Sequence, residues 1–161
     1  SNIKNIKGDG KMNGKEIIFR VNELSNKENT GWIPYAKPIK MIILDYISKE
    51  SARPNATATL TTEMFSILCD LENFYEKTGQ LDSDGYFYQL PKQFKDEWGI
   101  TGDTVDKTTK ILISMGWIEK DVRGGYDYAN KKPLYTPYYK IKHEKIIDDL
   151  VKKYPSLQKL F

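Results

Sequence analysis

The fold of this 161-residue chain is decided by one stretch, residues 90–120, which reads LPKQFKDEWGITGDTVDKTTKILISMGWIEK. Its first part has an apolar residue at every fourth position with charged residues between them, the pattern of a short amphipathic helix. Pro91 suits the first turn of a helix, where a missing N–H costs nothing, and Gly99 suits the left-handed position that ends one. We therefore predict a helix that ends at Gly99, with an apolar stripe formed by Leu90, Phe94 and Trp98.

A second helix is predicted over residues 104–115, after a tight turn that the apolar side chain of Ile100 fills. Either Thr101 or Asp103 offers the side-chain oxygen that caps the N-terminus of this helix. Gly116 follows the last periodic residue and ends it. The residues expected on its buried face are Val105, Thr108 or Thr109, Leu112 and Met115.

The residues after Gly116 predict a β-hairpin. Alternation over 117–123 indicates a first strand, and residues 134–142 indicate a returning strand. We expect residues 123–125, an arginine and two glycines, to turn the chain and residues 126–133 to form the loop. Two helices joined by a short turn and followed by a hairpin have the order of a winged helix-turn-helix, whose second helix fits the major groove of DNA.

Residues 60–142 are predicted to form this winged helix-turn-helix domain, and the fold class is α+β. Its first helix has apolar residues at helical spacing over 64–75, with Thr61 or Thr62 available as a cap. A short β segment at 86–88 is expected to pair with the hairpin.

The two ends of the chain extend this domain. Residues 1–59 are predicted to be an N-terminal arm and extension, flexible over 1–14 and loop-like over 51–59 because of their composition. Two segments between them fit either a helix or a strand by periodicity, 15–22 and 38–48. Residues 143–161 are predicted to be a C-terminal amphipathic helix, whose apolar side indicates a homodimer.

The formal net charge of +3 is unevenly distributed along the chain. Residues 1–60 carry 10 Lys/Arg against 6 Asp/Glu, residues 61–119 carry 5 against 11, and residues 120–161 carry 10 against 5. The predicted helix-turn-helix is therefore acidic, whereas the hairpin and both ends are basic. We expect the basic parts to provide most of the attraction to phosphate groups.

Composition also indicates where the protein acts. No apolar run approaches the roughly 18 residues that a membrane-spanning helix needs, so no membrane partner is expected. The single cysteine, Cys69, excludes an internal disulfide and is consistent with a reducing cytoplasm. We predict a cytoplasmic protein.

The segment ITGDTVDKTTKILISMGWIEK, residues 100–120, resembles the winged-helix domains of phage- and plasmid-encoded replication initiators of Gram-positive bacteria, and more generally winged-helix transcription regulators. The preceding DGYFYQLPKQFKDEWG, residues 84–99, is similar to the phage replication group in particular. The similarity covers roughly residues 60–142. It implies that Gly102, Asp103 and Lys107 face the edges of DNA bases, and that Thr104 and Lys110 face phosphates or neighbouring bases.

Several of these assignments have a competing structural interpretation. Lys107 and Lys110 lie one helical turn apart on the exposed face, where each either reaches DNA or simply remains solvated and paired with Asp103 and Asp106. Asp103 and Asp106 either accept a hydrogen bond from cytosine or, more commonly, cap the helix and lie exposed.

The hairpin carries the remaining candidate contacts. Three cations are expected in its turn and loop: Arg123, Lys131 and Lys132. They either contact DNA, by entering a minor groove or binding phosphates, or are ordinary solvated loop residues. Aromatic residues alternate with these cations, and they either stack on unpaired bases or pack across the strands. They are Tyr126, Tyr128, Tyr135, Tyr138 and Tyr139.

No enzyme, metal or cofactor site is predicted. The segment at 8–16 has the wrong spacing for a phosphate-binding loop, and Glu16 stands where such a loop has Ser or Thr. With one histidine, His143, and one cysteine, a zinc site or a Cys/His nucleophilic pair is not supported.

The residues thus favour sequence-specific binding of double-stranded DNA. The resemblance implies a role in replication initiation or its control on a phage or plasmid, with replication proteins as further partners. Two alternatives are a winged-helix transcriptional regulator and a protein-interaction winged helix without DNA contact.

Overall fold

The computed structural model describes residues 12–27 and 37–161. The arm predicted over 1–14 lies almost wholly outside these residues. The fold is α+β, with six α-helices, one 3-10 helix and a three-stranded antiparallel sheet in the described part. In chain order the elements are α1 (Gly14–Lys27), α2 (Lys37–Ile47), α3 (Pro54–Lys77), β1 (Phe87–Tyr88), α4 (Pro91–Trp98), α5 (Gly102–Ser114), β2 (Ile118–Asp127), β3 (Lys132–Ile141), α6 (His143–Lys153) and the 3-10 helix Pro155–Leu160. A hairpin that follows two consecutive helices is compatible with a winged helix.

The two helices predicted over residues 90–120 are confirmed. Gly99 ends α4 in the left-handed conformation, with φ of 68°. Thr101, and not Asp103, caps α5, because the Thr101 side-chain oxygen accepts the N–H of Thr104 at 3.4 Å. The helix consequently begins at Gly102, two residues earlier than predicted. Its expected buried face is confirmed at Val105, Thr108, Thr109, Leu112 and Met115.

The apolar stripe predicted for α4 is only partly present. Phe94 is fully buried, but Leu90 and Trp98 are 38% and 41% exposed. The helix has only eight residues, and its central side chain, Phe94, makes the contact with the core, including the Tyr139 ring of β3 at 6.1 Å between centroids.

The loop predicted over 51–59 is wrong, because α3 begins at Pro54. Proline at the first helical position is already in the conformation that a helix needs. The threonines that follow remain in the helix, since the Thr61 and Thr62 hydroxyls donate to the carbonyl oxygens of Thr57 and Ala58 at 2.8 and 2.7 Å. Neither Thr61 nor Thr62 is therefore the cap, and α3 crosses from the predicted N-terminal extension into residues 60–142.

Both ambiguous N-terminal segments are helices, α1 and α2, and both pack against α3. The start of α1 is attached through a buried carboxylate, because the N–H of Gly14 donates to the Glu72 side chain at 2.7 Å. The predicted C-terminal helix is confirmed as α6. Its residues Ile146 and Leu150 are fully buried within this chain, so the apolar side that indicated a homodimer already has an intramolecular partner.

The hairpin differs from the prediction in the position of its turn. The first strand continues through Gly124 and Gly125 as far as Asp127, and the chain turns at residues 128–131. The Asp127 carboxylate accepts the N–H groups of Ala129 and Asn130 at 3.1 and 3.2 Å and thereby organises this turn. Strand β3 lies between β1 and β2, which confirms that the 86–88 segment pairs with the hairpin.

None of the helices in residues 12–27 and 37–161 is both long enough and apolar enough to cross a lipid bilayer.

A substitution at Gly14 tests the attachment of α1 to the core. A Cβ at this position would lie 2.4 Å from the Cys69 sulfur and 3.3 Å from a methyl group of Ile141. We expect Gly14→Ala to lower the free energy of unfolding in urea by about 1–3 kcal/mol, the usual cost of overpacking. Cys69→Ala should restore part of this loss in the double variant. Gly102→Ala is the matched control, because Gly102 also begins a helix and a Cβ there meets no atom within 4 Å. An equal loss in the two single variants would contradict the contact.

Candidate nucleic-acid interface

The solvent-exposed face of α5 carries a small excess of unpaired positive charge. Lys107 and Lys110 are exposed and form no ion pair with any described residue. The local pairing expected for them is absent, because Asp106 lies instead 3.9 Å from Lys120 of β2. Asp103 is exposed in the first turn, where a carboxylate is favoured by the helix dipole. Two cations and one carboxylate therefore remain available on this face.

The N-terminus of α5 is open to close approach. Gly102 is exposed, and no atom lies within 4 Å of a Cβ built on it. The N–H of Thr104 is occupied by Thr101, and the Thr104 side chain is half-buried. Of these two residues, Gly102 is the one that leaves room for the backbone of a bound ligand.

The hairpin of β2 and β3 projects beyond the helices. Each strand has ten residues, and the half near the turn is exposed. Three residue pairs, Gly124–Tyr135, Gly125–Leu134 and Tyr126–Pro133, are exposed on both strands, and at about 3.3 Å per residue they span roughly 10 Å. Lys131 and Lys132 lie at this tip, exposed and without an ion pair to the described residues. Lys131 has a φ of 52°, which is uncommon for a residue with a side chain and closes the turn.

Arg123 does not lie at the hairpin turn, which corrects its predicted position. It lies in the middle of β2 because the strand continues through the two glycines. Its guanidinium donates to Asp82 at 2.8 Å and to Asp121 at 3.2 Å, and it covers the Tyr138 ring at 4.0 Å from the centroid. Arg123 thus joins the hairpin to the turn before β1.

The turn before β1 presents the Asp82 carboxylate to Arg123. The N–H groups of Asp84 and Tyr86 donate to one Asp82 oxygen at 2.9 Å each, while Arg123 binds the other. Desolvation acts to raise the pKa of Asp82, but these hydrogen bonds from Tyr86, Arg123 and Asp84 outweigh it and lower the pKa below its ordinary 3.8. The sequence predicted a turn here but offered no sign of its partner 41 residues away.

The two faces of the hairpin have different chemistry. Side chains alternate along β2, so Glu119, Asp121, Arg123 and Asp127 share the outer face of the sheet. The other face is shared with Lys120, whose ammonium contacts Asp106 of α5, and we call it the α5-side face. Its exposed residues are Val122, Gly124, Tyr126, Pro133 and Tyr135. The carboxylates of β2 are thereby all kept away from the side of α5.

The hairpin tyrosines divide into packed and exposed groups. Tyr139 is buried, and Tyr138 lies half-buried beneath Arg123, which confirms cross-strand packing for these two. Tyr126, Tyr128 and Tyr135 are 47%, 83% and 70% exposed. The Tyr126 and Tyr128 rings contact edge to face, with centroids 4.9 Å apart. The three tyrosines near the tip are therefore accessible for stacking on unpaired bases.

The basic C-terminal part is less available to a ligand than its composition indicates. Lys142 lies 3.0 Å from Glu119, Lys145 lies 2.7 Å from Asp149, and Lys153 pairs with Asp45. Exposed ion pairs of this kind are weak, but they partly neutralise the cations that attract phosphate at long range. For the attraction of phosphate groups, the unpaired lysines of α5 and of the hairpin tip are therefore more important than the net charge of the chain.

A cavity of about 350 Å³ lies between α5 and the helices α2 and α3. Lys107 and Lys110 form one edge of it, and Ile111, Ile47 of α2 and Thr57 of α3 contribute to its walls. The exposed face of α5 is thus bordered by this cavity.

The single cysteine and the single histidine are parts of the core and its edge. Desolvation raises the pKa of the buried Cys69 thiol well above its ordinary value, so the thiol stays protonated. His143 lies 2.7 Å from the buried Glu72 carboxylate. No group of three or more His, Cys, Asp or Glu side chains that could hold a metal ion occurs in residues 12–27 and 37–161.

No protein family, curated protein or solved structure that was compared with this chain matches it. The functional conclusion therefore rests on the arrangement of its own residues.

Removing Arg123 should change the acid sensitivity of the protein. Because the folded-state pKa of Asp82 is lowered, its contribution to stability is present above about pH 4 and is lost as the pH falls below 3.8. We expect Arg123→Ala to lower the melting temperature at pH 7 and to show a smaller further decrease between pH 7 and pH 3 than the original protein. Arg53→Ala removes an exposed arginine that forms no ion pair with the described residues, and it should leave both values unchanged. Equal acid sensitivity with and without Arg123 would contradict the assigned interaction.

Proposed function

We propose that this chain binds double-stranded DNA as a winged helix, with α5 in the major groove and the hairpin of β2 and β3 on the flanking backbone. One observation carries the proposal. In the described part of the chain, two exposed lysines without acidic partners lie on α5 and two more lie at the hairpin tip, and a contact of 3.9 Å between Lys120 and Asp106 joins these two elements. Two sets of exposed lysines held on one rigid body suit a regular, repeating polyanion.

The dimensions of α5 agree with this role. Its 13 residues form a helix about 20 Å long and 10–12 Å wide, and the major groove of DNA is about 12 Å wide. The exposed face offers Lys107 and Lys110 to base edges or phosphates. Gly102 and Asp103 lie at the end of the helix that enters the groove in helix-turn-helix proteins, with Thr104 beside them.

The contribution of the hairpin is mainly electrostatic. Lys131 and Lys132 reach the backbone on either side of the groove, and each neutralised phosphate releases counterions. Arg123 is not included in this interface, because its guanidinium is held by Asp82 and Asp121. We therefore revise the predicted contact set by removing Arg123 alone.

For the biological role, the similarity of residues 84–120 to replication initiators supports initiation or its control on a phage or plasmid, with transcriptional regulation as the alternative. Selecting bound sequences from a random duplex pool distinguishes these roles. A repeated array of sites is expected for an initiator, and a single palindrome for a regulator that binds as a homodimer.

A second candidate function is assembly with another protein without DNA contact. The cavity between α5, α2 and α3 favours it, because a partner side chain bound there would cover Lys107 and Lys110. The acidic balance of residues 61–119 favours it as well.

The salt dependence of binding to random duplex separates the two candidates. A DNA-binding protein should lose affinity linearly on a log–log plot against salt, with a slope of about −0.9 for each phosphate neutralised. We expect the double variants Lys107→Ala/Lys110→Ala and Lys131→Ala/Lys132→Ala each to weaken binding and to reduce the slope by about two. Fluorescence anisotropy of a labelled duplex measures both.

The matched control is Lys77→Ala/Lys152→Ala, which removes the same charge from two exposed lysines on other elements. It should alter the affinity only slightly and leave the slope nearly unchanged. Absence of duplex binding at low salt would overturn DNA binding and favour the interaction module. A slope reduced equally by all three double variants would show that the lysine assignment is wrong.

A further inference from the structure

Two glycines, Gly124 and Gly125, lie in the middle of β2, where the backbone does not require them. Neither has a positive φ. Each residue of β2 also pairs with one residue of β3 along the whole strand, so no bulge is present. Glycine within a strand weakens it and often marks a place where a ligand or another backbone approaches closely. The glycines therefore need an explanation other than backbone conformation.

Gly124 leaves a gap on the α5-side face of the hairpin. Val122 and Tyr126 are its neighbours on this face of β2, and Tyr135 lies directly opposite it on β3. A Cβ built on Gly124 meets no atom within 4 Å, so the Tyr135 ring does not cover the glycine. The gap is consequently open to solvent and is bordered by one aliphatic side chain and two aromatic rings.

The surroundings of the gap suit a flat aromatic group attached to phosphates. The carboxylates of β2 all lie on the outer face, which they share with Lys132, while Lys131 lies exposed in the nearby turn. A nucleobase stacks favourably on an aromatic side chain whatever its identity, because every base has a π face. In a paired duplex those faces are covered by neighbouring bases, so only an unpaired base can enter the gap.

We propose that the gap at Gly124, between Tyr126 and Tyr135, stacks an unpaired nucleobase, so that the protein binds DNA with locally separated strands more tightly than fully paired DNA. This inference rests on the proposed function and adds a preference for one DNA structure to it. In this arrangement α5 holds the adjoining duplex and the hairpin holds the exposed base.

Three DNA probes of equal length and equal phosphate number test the proposal. They are a fully paired duplex, the same duplex with a few unpaired thymines at its centre, and the same duplex with abasic sites in place of those thymines. The abasic probe keeps the flexibility and charge of the unpaired region but has no base to stack. We expect the thymine probe to bind about tenfold more tightly than the duplex, and the abasic probe to lose this preference.

Adjacent glycines on opposite faces provide matched variants. Gly124→Val fills the gap with a side chain that favours strands, so the preference for the thymine probe should disappear. Gly125→Val points to the outer face, where its Cβ meets only the Leu134 Cβ at 3.9 Å, and it should keep the preference. Tyr135→Ala should abolish the preference and Tyr135→Phe should retain it. Tyr135 is 70% exposed, so its removal does not endanger folding.

The outcomes separate this inference from the proposed function. Failure to bind any probe would overturn both. Duplex binding without a preference for the thymine probe, a preference that the abasic probe shares, or a preference that survives Gly124→Val would overturn the stacking site alone. Sedimentation without DNA provides the remaining test: a dimer that Gly124→Val converts to a monomer would show that the gap receives a second copy of this chain.

Discussion

The structure depends on the burial of α3, the 24-residue helix against which most of the other elements pack. Its buried side contains the Glu72 carboxylate, which would destabilise the core if it had no partner. Glu72 accepts the N–H of Gly14 at the start of α1 and contacts His143 at the start of α6, both at 2.7 Å. One buried carboxyl group therefore joins the N-terminal and C-terminal helices to the centre of the fold. These helices belong to the same core as α4 and α5.

The position of the candidate interface follows from this core. Leu112 and Val105 hold α5 against the rest of the protein, and Ile118 and Ile141 hold the base of the hairpin. With both elements fixed, the exposed face of α5 and the α5-side face of the hairpin border one surface. The tip of the hairpin lies outside the core and carries unpaired lysines and exposed tyrosines. The proposed contact of the hairpin with DNA rests on this rigid base and exposed tip.

Charge pairing decides which cations are available on this surface. The net charge of +3 and the basic C-terminal part indicate an extended attraction to phosphates. In the structure, several of these cations have carboxylate partners, among them Arg123 with Asp82 and Asp121. The lysines of the proposed interface, on α5 and at the hairpin tip, are exposed and have no carboxylate partner among the described residues. Specific placement, and not total charge, is therefore the physical basis of the proposed binding.

The sequence by itself determined α4, α5 and the turn between them, because caps and glycines act locally: Thr101 begins α5, and Gly99 and Gly116 end their helices wherever the rest of the chain lies. It also predicted the buried face of α5 from spacing alone. Only the tertiary structure decided the extent of α3, where burial of threonines overrides a loop-like composition, and the turn of the hairpin, where pairing with β3 extends β2 through Gly124 and Gly125. The role of Arg123 was likewise decided by a partner 41 residues away, which no local pattern reveals. Local backbone preferences are readable from the sequence, whereas strand register and long-range ion pairs depend on which segments meet in the folded chain.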